Sequence, residues 1–387
     1  MSTPHITICA GELSGDEHAA EVALALREQI PHAKFTGMGG RHLRRAGVET
    51  LVDSEKDGSV MGFGDVLRAL PRIRRSLSLM QEHLRQSGPD LLILVDYPDF
   101  NLRLAKTAKQ LGLRVLYYIP PSVWAWRPKR LELLRKYTDS IALIYPFEES
   151  FYAGRGMAAA KFVGHPLVDR AAHYRPDPKL RSEVLQALNF APELPTLLIM
   201  PGSRDKELQR HLPIVIATLS LLQARCANIQ VIVSEAPTVS LSKWRSELEA
   251  IPRVRVASRP SVDLLRACDA GLLKSGTSNL QAAFAGLPSA MFFRTSWLSE
   301  LIVRKLVKVR EFSIVNLIRP ATFKEYLQAA ANPAELAAEC QALLFDQGYR
   351  AKIQAHLVEV VERLSPPQKD TRKAAQRVAA LAQALLS

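Results

Sequence analysis

Two acidic residues close a strand-like apolar run: Leu91–Val95 leads into Asp96-Tyr97-Pro98-Asp99-Phe100-Asn101. A carboxylate at the end of a buried strand loses part of its hydration. Its pKa climbs toward neutrality and it becomes a usable general base. An Asp/Pro turn, with Asp99 or Asn101 capping the next helix, accounts for those two residues equally well. It accounts poorly for Asp96, which precedes the turn, so Asp96 is the candidate base.

Four more loops carry residues suited to a ligand. Ile6–Cys9 runs into Ala10-Gly11-Glu12-Leu13-Ser14-Gly15-Asp16. Two glycines let the backbone approach a ligand, and a helix start favours an anion. A tight turn with Ser14 or Asp16 as helix cap fits as well. The spacing is not GxGxxG, and GxxxxGK is absent from the chain. Tyr118–Arg127 sets Ser122, Trp124 and Trp126 beside Pro120 and Pro121. Such a stiff loop either walls a pocket or pins its aromatics into the core. Thr196–Met200 precedes Pro201-Gly202-Ser203-Arg204-Asp205-Lys206-Glu207. This reads either as backbone donors and an arginine for a diphosphate, or as a capped turn with solvated charges. Lys274-Ser275-Gly276-Thr277-Ser278-Asn279-Leu280-Gln281 also follows a strand and opens a helix. It offers phosphate a cation, hydroxyls and a positive helix end.

These loops need strands to hold them. Apolar runs predict strands at Ile6–Cys9, Leu91–Val95, Arg114–Tyr118, Ser140–Ile144, Thr196–Met200, Gln230–Val233, Val254–Val256, Gly271–Leu273 and Ala290–Phe293. Helical segments separate them, so the class is α/β with parallel sheets covered on both faces. The rhythm breaks after Gly164-His165-Pro166-Leu167 and resumes at Thr196. The polar, proline-bearing stretch Tyr174–Lys179 is the expected linker between two doubly wound, Rossmann-like domains facing across a cleft. Ligands in such sheets bind beyond the carboxyl ends of the strands.

Within Gly62–Met80, Phe63, Val66, Leu67, Leu70, Ile73, Leu77 and Met80 interleave with Arg68, Arg72, Arg74 and Arg75. A helix with an apolar and a basic face either lies on an anionic lipid surface or turns its apolar face to the core. Pro71 is the expected start of that helix. The charge balance is basic: 51 Lys+Arg against 38 Asp+Glu in 387 residues, or +13. Anionic partners follow: phosphorylated small molecules, an anionic membrane face or nucleic acid. No nucleic-acid motif accompanies that charge, so no nucleic-acid partner is expected. No apolar run reaches the ~18 residues of a membrane span. No signal peptide is evident at MSTPHITICAGE, and the scattered Cys9, Cys226, Cys268 and Cys340 are expected to be reduced.

Taken in order, the loops resemble the lipid-A-disaccharide synthase family. The carriers are AGELSGDEHAA (10–20), GMGGRHLRRAGVE (37–49), VMGFGDVL (60–67), DYPDFN (96–101), YYIPPSVWAWR (117–127), PFEESFY (146–152), FVGHPLVD (162–169), LLIMPGSRDKE (197–207), SGTSNLQAAFAGLP (275–288) and VRKLVKV (303–309). The resemblance implies a GT-B fold. Residues 1–170, completed by a C-terminal helix at 368–387, would form the acceptor and membrane-docking domain, and 171–367 the UDP-sugar domain. It implies an inverting glycosyltransferase joining UDP-2,3-diacylglucosamine to 2,3-diacylglucosamine 1-phosphate (lipid X). The products would be a β-1,6-linked disaccharide and UDP.

By resemblance Asp96 matches the essential aspartate and Arg204 the required arginine. Glu12, Ser14, Gly15 and Asp16 would shape the acceptor side. Asn101, Ser122, Trp124, Trp126, Gly202, Ser203, Lys274, Ser275, Gly276, Thr277, Gln281 and Asn316 are further candidate substrate contacts. The segment around Phe63–Leu77 would dock on the anionic inner face of the inner membrane, making the enzyme a peripheral cytoplasmic one. Neither metal nor other cofactor is expected; a homodimer is compatible. Family members usually carry glutamate at Gln281, a small residue at Lys274 and proline at Val315. Two rivals remain at this stage: another GT-B enzyme such as a UDP-sugar 2-epimerase, and a non-catalytic lipid-binding paralogue.

Overall fold

The computed structural model describes residues 3–57, 63–296, 311–366 and 370–387, with side chains except those of 57 and 63–69. VRKLVKV (303–309) lies outside the described residues, as do Gly62 and the side chains of Phe63, Val66 and Leu67. The chain divides into two compact units: Met1–Pro166 with Ser365–Ser387, and Leu167–Leu364.

Among the described residues the first unit holds seven strands: β1 (His5–Ala10), β2 (Lys34–Gly39), β3 (Glu49–Asp53), β4 (Leu91–Val95), β5 (Arg114–Tyr118), β6 (Ser140–Leu143) and β7 (Ala160–Phe162). They are ordered β3-β2-β1-β4-β5-β6-β7, and every pairing is parallel. All five residues of β4 are fully buried, because helices cover both faces of the sheet. The second unit repeats the plan with β8 (Thr196–Met200), β9 (Gln230–Ser234), β10 (Val254–Ala257), β11 (Ala270–Lys274), β12 (Ser289–Phe293) and β13 (Glu325–Leu327). Their order is β10-β9-β8-β11-β12-β13, again all parallel. Strand order reverses between β1 and β4, and between β8 and β11. At such switch points neighbouring loops part and open a crevice at the carboxyl ends.

The nine expected strands are all present. Four others carry weaker signals: β2 is broken by Gly37 and Gly39, β3 is a partly exposed edge, and β7 and β13 have three residues each. The C-terminal helix Ala374–Leu386 packs on the helix Leu13–Gln29 of the first unit. Val378, Ala379 and Ala382 lie in the same apolar cluster as Ile8 and Leu26. The buried Arg377 donates from Nε to the Val163 carbonyl at 2.6 Å.

Two expectations need correction. Tyr174–Lys179 is not a linker: Tyr174 is buried, and Arg266 donates to the Arg175 carbonyl and the Asp177 carboxylate. Prolines and charges there serve a packed turn and a helix start, with Asp177 capping the helix Pro178–Ala187. Nor does a helix begin at Pro71: it runs Phe63–Ser87 with Pro71 inside. Ile73 and Leu77, read as membrane-facing, pack against the core cluster of Met80 and Leu84. Leu70 is half-buried, while Arg72, Arg74, Arg75 and Leu79 are exposed.

Candidate active site

In the first unit Ala10 pairs with Val95, so the loops after β1 and β4 leave the sheet side by side. Gly11 is required there, since a Cβ on it would sit 2.2 Å from the Tyr97 ring. Asp96 and Tyr97 both adopt left-handed backbone, at φ 49 and 48. Consecutive non-glycine residues hold this conformation only when their surroundings force it. Here the Asp96 N–H donates to the Tyr118 carbonyl at 3.1 Å. The Asp96 carbonyl accepts from Asn101 Nδ2 and from the Tyr117 hydroxyl, both at 2.7 Å. Ile119, beyond β5, is left-handed too, so strain gathers at the carboxyl ends of β4 and β5.

The Asp96 carboxyl is partly buried and flanked by Gly15, whose own Cβ position is 3.9 Å from Asp96 Cβ. Burial, and secondarily the Glu12 charge, push its pKa up to about 6. The group is thus ionised at neutral pH yet remains basic enough to accept a proton. Glu12 and Ser14 are exposed at the start of the adjoining helix.

Three side chains assigned to substrate are inward-facing instead. Asp16 is fully buried and accepts from the Gly40, His42 and Leu43 N–H groups, capping the helix Arg41–Arg45. It caps that helix rather than its own, which begins at Leu13 without a side-chain cap. Asn101 is fully buried and braces the Asp96 turn. Asn316 is 1% exposed: it donates to the Phe323 carbonyl and Glu325, and accepts from the Thr322 and Phe323 N–H groups. Its hydrogen-bonding capacity is spent within the protein.

The aromatic loop divides its tryptophans. Trp126 is 42% exposed and lies under the Arg127 and Arg130 guanidiniums, which both pair with Asp99. Trp124 is half-buried, meets Phe147 edge-on, and donates from Nε1 to Glu148 at 2.9 Å. Ser122 accepts through its carbonyl from the Ala125 and Trp126 N–H groups, closing the turn. Sequence reading missed Glu148. It is 2% exposed, and burial raises its pKa to about 7. Its place at a helix start, after Pro146, signals only a first-turn acid; its partner lies 24 residues away. Also missed is His165, whose ring tilts on Tyr145 at 5.5 Å and whose pKa burial lowers to about 3.

In the second unit Met200 pairs with Leu273, and the glycine turns after β8 and β11 emerge together. They border a cavity of about 490 Å³ lined by Tyr174, Gly202, Ser203, Arg259, Ser261, Lys274, Gly276, Thr277 and Gln281, among others. That volume suits a nucleotide. Helices begin at Asp205 and Thr277, so both bring positive ends and free N–H groups to the rim. Ser275 is half-buried beside Gly276. Gln281 makes long contacts, accepting from Ser261 Oγ and donating to the Tyr174 hydroxyl, each at 3.4 Å. His211 anchors the β8 turn, with Nδ1 2.6 Å from the Pro201 carbonyl. Lys274 Nζ lies 3.1 Å from Glu207. The Arg204 side chain is 77% exposed and lines no part of this cavity; Glu207 approaches it at 4.0 Å.

Solved structures share this architecture. The kitacinnamycin glycotransferase superposes with a TM-score of 0.63 at 14% identity, covering 100% of both chains. A putative UDP-N-acetylglucosamine 2-epimerase from Listeria monocytogenes does so at 0.62 and 13%, over 98% of this chain and 94% of that one. Two doubly wound parallel sheets with glycine turns at their switch points define the GT-B class of glycosyltransferases. Shared fold alone leaves transfer and epimerisation undivided; sequence divides them.

The profile of the lipid-A-disaccharide synthetase family matches residues 6–380. Lipid-A-disaccharide synthase of Coxiella burnetii (strain Dugway 5J108-111) is 34% identical over 381 residues, 98% of each chain. That of Anaeromyxobacter dehalogenans (strain 2CP-C) is 38% identical over 368 residues, 94% of each. The chain belongs to the lipid-A-disaccharide synthetase family and is a disaccharide-forming glycosyltransferase.

Proposed function

We propose that the enzyme transfers 2,3-diacylglucosamine from UDP to the 6-hydroxyl of lipid X with inversion. Asp96 takes the hydroxyl proton as that oxygen attacks the anomeric carbon. The bond from the anomeric carbon to the β-phosphate oxygen breaks, its electron pair leaves with the diphosphate, and UDP departs. The observation that carries this reading is Asp96 itself: a strained, braced carboxylate at a switch point, with its pKa raised to about 6.

The cavity of the second unit is the proposed UDP seat. Gln281 and Tyr174 would meet the ribose end, and Ser203, Lys274, Gly276 and Thr277 the diphosphate. The exposed Arg204 would reach the leaving group by rotation of its side chain. Cationic groups and helix N-termini of the chain would stabilise the departing charge without a metal ion. Glu12, Ser14 and Gly15 border the proposed acceptor side, with Trp124 and Trp126 as wall.

Among the described residues no helix is long and apolar enough to cross a membrane. Peripheral docking on an anionic inner-membrane surface is proposed through Arg72, Arg74 and Arg75 and the segment 63–70. Disaccharide formation from the two substrates, followed by mass spectrometry, tests the mechanism. Asp96→Asn is expected to lower turnover about 10²–10⁴-fold with unchanged circular dichroism. Near-normal turnover would remove Asp96 as the base.

A further inference from the structure

Glu207 engages two of the groups that the preceding reading gives to the diphosphate. It is the third residue of the helix Asp205–Arg225. One carboxylate oxygen, Oε2, accepts from the Ser203 N–H at 3.1 Å. The other, Oε1, lies 3.1 Å from Lys274 Nζ and so joins the turn after β8 to the end of β11. The side chain is 14% exposed. Gly202 makes room for it: a Cβ at that position would come within 2.7 Å of Glu207 Oε2, and the backbone there is at φ 141. Both groups that Glu207 engages, Ser203 and Lys274, line the cavity. The single Ser203 N–H serves one anion at a time, and a carboxylate beside a diphosphate on the same ammonium repels it.

We infer that Glu207 is an internal stand-in for the diphosphate, seated on Ser203 and Lys274 when the site is empty and displaced when a nucleotide binds. The inference rests on the second-unit cavity being the UDP seat. It gives the site a built-in competitor. Ground-state affinity for UDP is held down, and the returning carboxylate favours release of the product. The competition touches only the phosphate end, so uridine does not feel it. It also needs Lys274, the cation for which both anions compete.

Calorimetric titration of the full chain with UDP and with uridine tests this. Glu207→Gln keeps the side-chain shape and removes the charge. It should tighten UDP about tenfold while uridine affinity stays within about twofold. Glu207→Asp, one methylene shorter, keeps a charge at the helix start but cannot bridge both partners; a smaller gain for UDP is expected. Lys274→Ala placed on Glu207→Gln should erase the gain. UDP affinity that is unchanged or weaker in both Glu207 variants, relative to uridine, would overturn the inference. If UDP binds no better than uridine in the wild-type chain and in Glu207→Gln alike, the reading of the cavity falls and the inference with it. Melting temperatures of the variants guard against misfolding, and the Gln and Asp substitutions give independent tests if one fails to fold.

Discussion

At the scale of single residues, Asp96 sets a testable opposition between activity and stability. Its pKa in the fold is about 6, above the ordinary 3.8. The folded protein therefore holds the proton to higher pH than the unfolded chain. Stability contributed by this group is complete below about pH 4 and is lost as pH rises through about 6. Catalysis runs the other way, because only the carboxylate accepts a proton. Turnover should fall below about pH 6, and a pH–rate profile should lose that limb in Asp96→Asn. The same variant should be more stable at pH 7, by about 1–2 kcal/mol after discounting for partial exposure, as read by denaturant titration. Asparagine also tolerates the left-handed backbone at this position. Greater stability with lost activity would mark a desolvated charge kept for function.

The elements show why a turn works only with its neighbours. Gly11 lies under the Tyr97 ring, and Gly11→Ala would drive a Cβ into that ring. We expect a loss of about 2 kcal/mol in chemical denaturation. The loss should shrink in the background of Tyr97→Ala, because the clash partner is gone. A second element-level test concerns Asp16. Its carboxylate serves three backbone N–H groups at the start of the helix Arg41–Arg45. Asp16→Ala leaves those buried donors without a partner and should destabilise by about 3 kcal/mol, visible as a lower melting temperature. A direct substrate role would instead raise the KM of the acceptor with stability unchanged.

For the molecule as a whole, the C-terminal helix belongs with the first unit. Val378 is fully buried in that unit's core although the whole second unit separates it in sequence from its neighbours. Val378→Asp would bury an unpaired carboxylate and should cost at least about 3 kcal/mol. The surplus of +13 bears on partners rather than on folding. Binding to vesicles containing anionic lipid should weaken steeply as salt rises, and binding to neutral vesicles should be weak throughout. Salt-independent binding would point to apolar insertion instead.

Much of this was readable from the chain alone. Continuous runs such as Leu91–Val95 announce strands buried on both faces, and glycine turns after them announce where a ligand can approach. Asp96 was legible because its position, before the turn, left it without a capping role. The motifs Ser-Val-Trp-Ala-Trp-Arg and Phe-Val-Gly-His-Pro-Leu placed the family. What the linear order hides is which way a polar side chain points. Asp16, Asn101 and Asn316 read as substrate contacts, yet each lies in a helix and turns inward to backbone groups that no local pattern names. Glu148 and Glu207 read as ordinary first-turn acids. Their partners, Trp124 and Lys274, are 24 and 67 positions away. Periodicity reports on the local backbone, and hydrophobic runs report on burial. The pairing of distant polar groups depends on which strands lie side by side: β5 beside β6 brings Trp124 to Glu148, and β8 beside β11, across the reversal of strand order, brings Glu207 to Lys274.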